Sequence, residues 1–198
     1  APDCLRKMVA VFAAHPQAAV VGARVVYFDR PEVTQSAALY MNRITGRYTM
    51  AEPDTPTECD YVIGCGALIK AEAFDAVDGF DDAFFMSHGE VDFCLRLKER
   101  GYRVYYAPRA LIQHKLTPGA RRIPIRIYYL YRNKIILLRC HTKGLGRLVA
   151  MGGHLLFGMP KAYLDAVRHH GGLQGVEWGI IRRAFWDGLI GDTSWRDF

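Results

Sequence analysis

The chain has 198 residues, of which 51% are hydrophobic and 23% charged, enough apolar material for one core and too much for a disordered protein. No apolar run reaches the roughly 18 residues of a bilayer-spanning helix. The net charge of +6 is unevenly placed: residues 1–114 carry 12 Lys and Arg against 15 Asp and Glu, and residues 115–198 carry 14 against 5, so nucleic acid and anionic lipid are both conceivable partners of the second part.

Asp3 to Pro16 reads as a helix capped by Asp3 and ended by proline, with Leu5, Met8 and Phe12 on one apolar stripe. Ala19 to Phe28, rich in valine, reads as a buried strand. Residues 29–58 show Asp, Pro, Thr and Gly clusters and are expected to form a long surface excursion, with one short strand near Ala38–Met41. Asp60 to Lys70 has strand-like composition, with Gly64 and Gly66 allowing close approach of backbone or ligand. A short helix follows at Ala71–Val77, then a turn over Asp78–Asp81. Glu90–Arg100 forms an amphipathic helix with Val91, Cys94, Leu95 and Leu97 inward and Gly101 as its stop. Val104–Tyr106 and Ala110–Ile112 are short strands around Pro108.

Beyond Lys115 the pattern turns helical, with segments near 122–141, 144–157, 160–169 and 175–190 separated by glycines. Pro118-Gly119 marks the linker, so two regions are predicted, 1–117 and 118–198. His141, His154, His169 and His170 read as surface residues. The stretch 123–139 mixes Arg122, Arg126, Arg132, Lys134 and Arg139 with Ile, Leu and the tyrosines 128, 129 and 131. That is the composition of a helix lying in a membrane interface, or of a helical subdomain packed against the first region. No nucleic-acid motif is present, and the basic residues alternate with aliphatics rather than stacking platforms, so nucleic acid is not expected as a partner. The cysteines at 4, 59, 65, 94 and 140 are odd in number and contain no CxxC, which points to reduced, mostly buried thiols of a cytoplasmic protein.

The chemistry concentrates in Gly79-Phe80-Asp81-Asp82-Ala83-Phe84-Phe85-Met86-Ser87-His88-Gly89-Glu90-Val91-Asp92-Phe93-Cys94-Leu95-Arg96, continued by Gly101-Tyr102 and closed by His114. Carboxylates at a helix start are stabilised by the helix dipole, which keeps one available as a base facing a cleft. His88 lies in the same loop. Asp3 is by its residue type equally a cap or a ligand, and His114 alone would be an ordinary strand-end histidine.

This run resembles family 2 glycosyltransferases of the GT-A fold over about residues 60–114: a Gly-Gly-Phe-Asp-like turn, Phe-Phe, an acidic pair, Asp-x-Cys-x-Arg, Gly-Tyr and a closing His. Ala1-Pro2-Asp3 before a helix resembles the end of the family's Asp-x-Asp metal motif. Tyr129-Leu130-Tyr131-Arg132-Asn133-Lys134 resembles the C-terminal region of rhamnosyltransferase-like members.

The resemblance implies an α/β, GT-A type domain whose first β-α-β units, the seat of the nucleotide base, precede this chain, followed by a C-terminal helical region. It implies an inverting transfer from a nucleoside-diphosphate sugar to a lipid-linked or cell-surface glycan, at the inner face of the plasma membrane. Asp3 and His114 would bind a divalent metal, Mg or Mn. Glu90 would be the general base; Asp60 and the Gly64-Cys65-Gly66 turn would shape the acceptor pocket; Asp92 would orient the helix or the acceptor and pair with Arg96. The family's acidic pair is Glu-Asp where this chain has Gly89-Glu90, which lengthens the base by a methylene. An inactive fragment or glycan-binding module without a donor site is the alternative.

Overall fold

The computed structural model describes residues 2–115, 124–170 and 175–194. The expected linker at Pro118-Gly119 and the Gly171-Gly172 break lie outside the described residues. The chain forms two compact units. The first comprises Ala1–Met41, Tyr48–Asp81 and Glu90–Thr117, and the second comprises Asn42–Arg47, Asp82–Gly89 and Pro118–Phe198.

The first unit is mixed α/β, the architecture the resemblance implies. Helix α1 (Cys4–Ala14) leads into β1 (Ala18–Tyr27), followed by β2 (Thr34–Ser36), β3 (Ala38–Met41), β4 (Tyr48–Ala51), β5 (Thr57–Cys59), β6 (Ala67–Ile69), α2 (Ala71–Ala76), α3 (Gly89–Glu99) and β7 (Arg103–His114). Strand β1 is central because its Val- and Ala-rich run is buried on both faces. It pairs parallel with β7 on one side, and antiparallel with β6 and then β2 on the other. Strand β5 closes the far side of β7. Gly22 lies in the middle of β1, where an added Cβ would come within 2.3 Å of Val62, so only glycine fits.

Several expectations are corrected here. The excursion over 29–58 holds the expected strand at Ala38–Met41, β3, and three more that were not expected: β2 and β5 in the main sheet, and β4 paired with β3 as a hairpin. Asp60–Lys70 is strand only at β6, because Gly64–Gly66 closes a 3-10 turn. The two strands around Pro108 are one strand, β7. Its pairing with β1 steps from Ala23–Ala107 to Arg24–Leu111, leaving three residues to bulge out where proline has no N–H to give. In α1 the buried residues are Cys4, Met8 and Val11, packed on Val21 and Ala107, while Leu5 is 65% exposed. Asp3 occupies the cap position without a side-chain capping bond.

The second unit holds α4 (Pro124–His141), α5 (Gly144–Gly153), a π turn at His154–Gly158, α6 (Met159–His170) and α7 (Gly175–Ile190). The interfacial reading of 123–139 is overturned: Tyr128, Tyr129, Arg132, Asn133, Leu137 and Leu138 are fully buried, making α4 the core helix of this unit. Gly188 lets α7 approach α4 closely, since a Cβ there would meet the Arg132 carbonyl oxygen at 3.0 Å. Across that contact Asp187, also fully buried, accepts the Tyr128 hydroxyl at 2.6 Å and both bonds of Arg183 Nε at 2.8 and 2.9 Å. His141 is buried, and His154 stacks on Phe185, so neither is a surface histidine.

Candidate active site

Glu90 is the second residue of α3, in the first turn, where the backbone N–H groups favour a carboxylate. Burial nevertheless raises its pKa above the usual glutamate value. Around it lie Tyr61 and Tyr48, their rings edge to face at 5.4 Å, and the thiols of Cys65 and Cys94. Burial pushes both phenols and both thiols up, and the charge of Glu90 pushes each in the same direction. Gly64 backs the carboxylate: a Cβ there would sit 3.9 Å from the Glu90 Cβ.

The 3-10 turn presents its other residues to a cavity of about 440 Å³ lined by Cys4, Leu5, Met8, Phe28, Cys65, Gly66, Ile112 and Gln113. Asp3 and His114 are the chain neighbours of Cys4 and Gln113, which line this cavity. Asp3 is held ionised, with its pKa lowered by the hydrogen bond from Lys7, whose Nζ lies 2.8 Å away. His114 Nδ1 lies 3.0 Å from Gln35 Oε1, which orients the ring. A hard carboxylate and an imidazole oriented by a second group suit a divalent cation. Among the described residues no group of three His, Cys, Asp or Glu converges, so the remaining ligands of such an ion would come from elsewhere, substrate phosphates being the usual source.

The remaining candidates stand apart from Glu90. Asp60 takes the Met41 N–H at 2.9 Å and the Lys98 ammonium at 2.7 Å, which ties β3 to α3. Buried Asp92 pairs with Arg96 at 2.7 Å, as the one-turn spacing implies. Arg96 also donates to the carbonyls of Val77 and Gly79, fixing the turn before the motif. Sequence reasoning missed Tyr48 and Tyr61. Tyr61 stands beside Asp60 in the run already singled out, but Tyr48 reaches the site only through the β3–β4 pairing, which has no local signal.

The profile of glycosyl transferase family group 2 matches residues 1–165, more than four-fifths of the chain. This chain belongs to that family. It is similar to the dTDP-rhamnosyl transferase RfbF of Shigella flexneri, 22% identical over 142 residues, covering 67% of this chain and 48% of the relative. It is also similar to the rhamnosyltransferase WbbL of Escherichia coli (strain K12), 38% identical over 52 residues, covering 26% of this chain and 20% of the relative. The chain therefore spans less than half the length of these curated relatives.

Proposed function

We propose that this chain is the acceptor-side part of an inverting glycosyltransferase that moves a deoxyhexose from a nucleoside diphosphate to a hydroxyl of a lipid-linked or cell-surface glycan, with Glu90 as base. The observation that supports it best is the half-buried Glu90 at a helix start, its pKa raised by burial, with Tyr48, Tyr61 and the Gly64 turn near it. A carboxylate so placed takes a proton more readily than a solvated one. The acceptor oxygen attacks the anomeric carbon and its proton passes to Glu90. The bond to the diphosphate oxygen breaks with its electron pair, and the nucleoside diphosphate leaves. The names of both relatives favour rhamnose as the sugar, and that of RfbF favours dTDP as its carrier. Asp3 and His114 would hold Mg or Mn, which would supply positive charge for the departing diphosphate. The test is transfer by the full-length enzyme with dTDP-rhamnose: Glu90→Gln should lower kcat by about 10²–10⁴-fold. Undiminished transfer would remove Glu90 as base, and donor-independent glycan binding alone would point to the binding-module alternative.

The same reading places the enzyme at the inner face of the plasma membrane, through a different surface from the one its composition suggested. Among the described residues no helix is long and apolar enough to cross a bilayer. Along α5, the π turn and α6, Leu145, Leu148, Val149, Leu156, Phe157 and Leu164 are exposed, with exposed Lys143, Arg147 and Lys161 beside them. Apolar side chains flanked by cations complement an anionic lipid surface. Vesicles containing phosphatidylglycerol should float the protein and zwitterionic vesicles should not. Leu148→Glu/Phe157→Glu should abolish flotation, and its persistence would remove this surface.

A further inference from the structure

The tyrosine-rich motif on α4 has no part in the reaction as described, yet two of its residues are fully buried and polar. Arg132 donates through Nε to Asn133 Oδ1 at 2.9 Å, which fixes the amide with its NH2 turned away. Asn133 Nδ2 then donates to two successive carbonyls, Met86 at 2.7 Å and Ser87 at 2.9 Å. Arg132 also donates to the carbonyl of Ala83 and lies over the Tyr129 ring at 4.6 Å. All of these contacts are inside the helical unit, to which residues 82–89 belong.

The segment so held is strained. Ser87 and His88 both have φ of +67°, a conformation unfavourable for residues with a Cβ. Neither is glycine, so nothing in their own chemistry keeps them there. The next residue, Gly89, opens α3, and Glu90 follows. A chain relaxing at 87 and 88 would redirect the first turn of α3, and with it the carboxylate.

We propose that Asn133, oriented by Arg132, is a positioning residue: it clamps the carbonyls of Met86 and Ser87 and so holds Ser87 and His88 in the left-handed conformation that sets the start of α3 and the direction of Glu90. The proposal rests on Glu90 being the base only for its effect on rate; its effect on the geometry of Glu90 stands without that reading. The sequence motif is thereby explained by backbone recognition. An amide is the suitable group because it can accept from Arg132 and donate to two carbonyls at once, whereas aspartate at the same position can only accept.

The experiment uses the full-length enzyme carrying Asn133→Asp, which keeps the size and the Arg132 contact but turns acceptors toward the two carbonyls. Transfer from dTDP-rhamnose, amide exchange over residues 86–90 and a carbon-13 titration of the Glu90 carboxyl are measured together. The expected result is a fall in kcat of about 10–100-fold with KM for donor and acceptor unchanged, the size that misplacement of a reacting group by about 1 Å produces. Exchange over 86–90 should quicken, and the Glu90 titration should move down toward an ordinary glutamate. Adding Ser87→Gly should restore part of the lost rate, because glycine has no penalty at positive φ, while Ser87→Gly in the otherwise native enzyme should change kcat little. Unchanged exchange and titration in Asn133→Asp would overturn the clamp, as would a rate loss that Ser87→Gly does not relieve. Should Glu90→Gln retain transfer, the base assignment falls while exchange and titration still decide on the clamp. If Asn133→Asp fails to fold, Arg132→Lys, which removes the Nε donor to Asn133, carries the same expectations.

Discussion

Charged side chains leave solvent by different routes in the two units. In the α/β unit the acids take cations as partners, Asp92 with Arg96, Asp60 with Lys98, and Glu58 with Arg103 at the edge, and Arg96 and Lys98 add backbone carbonyls to those pairs. In the helical unit the cations mostly find carbonyls. Lys134 donates to Gly46, Arg43 to His141, Arg139 to Gly188 and Leu189, and Arg132 to Ala83 and Ser194. The reason is supply, because residues 115–198 have 14 cationic side chains and only 5 acids. Helix ends and turns provide the acceptors that carboxylates do not. The excess of positive charge that suggested a membrane is therefore partly consumed inside the unit, and what remains for lipid is the cation set beside the exposed apolar side chains of α5 and α6.

The exception within the helical unit is Asp187, and it offers the strongest way to break the contrast. Asp187→Ala leaves the Tyr128 hydroxyl buried without this acceptor and should cost about 1–3 kcal/mol, the usual range for a buried donor that loses its partner. Arg183→Ala should cost far less, because that side chain is 54% exposed and the tyrosine keeps its bond. Urea unfolding followed by tryptophan fluorescence measures this unit by itself, since Trp178, Trp186 and Trp195 all fall in it. Equal costs for the two variants would mean that the ion pair, not the buried hydroxyl, holds α7 to α4.

A smaller effect, graded with pH, sharpens the same contrast. Burial lowers the pKa of His88 to about 3 and of His154 to about 4, and takes Lys134 down to about 7. For each, the folded state refuses a proton that the unfolded chain accepts. Stability is therefore complete above the unfolded value and is lost as pH falls from there toward the folded value. For His88 that window runs from its ordinary 6.5 to about 3, with a slope of at most about 1.4 kcal/mol per pH unit. Glu90 works in the opposite sense: its raised pKa lets the folded α/β unit take its proton first, so acid favours the folded form through that group. Tryptophan-detected unfolding should thus weaken steadily below pH 6.5, and a flat profile between pH 6.5 and 5 would show that His88 is protonated in place. The same Glu90 shift puts the acidic limb of kcat above the ordinary glutamate range, and Glu90→Gln should abolish that limb.

The smallest effect is expected from Leu148→Glu/Phe157→Glu. Both side chains are about three-quarters or nearly three-quarters exposed, so the unfolding free energy should move by less than about 0.5 kcal/mol per site even as vesicle binding is lost. A large loss of stability would mean that this surface packs on something within the chain, and would remove it as a lipid contact.

Local order decided what was legible in the sequence. The strand at β1, the helix at α3, the Asp92–Arg96 pair and the helical character of the tail each depend on residues within a few positions of one another, and periodicity or one-turn spacing carries them. Glu90 was legible because a first-turn acid inside a motif needs no distant partner to be noticed. Tertiary structure alone decided the rest. Tyr48 joins Glu90 across a hairpin, β2 and β5 exist because β1 and β7 offer them edges, and α4 turns its arginine and tyrosines inward because α7 and residues 82–89 cover them. Composition records that a helix is basic and aromatic, but whether those side chains meet lipid or a carbonyl oxygen is settled by what packs against them, and for Arg132 and Asn133 it is the backbone leading to Glu90.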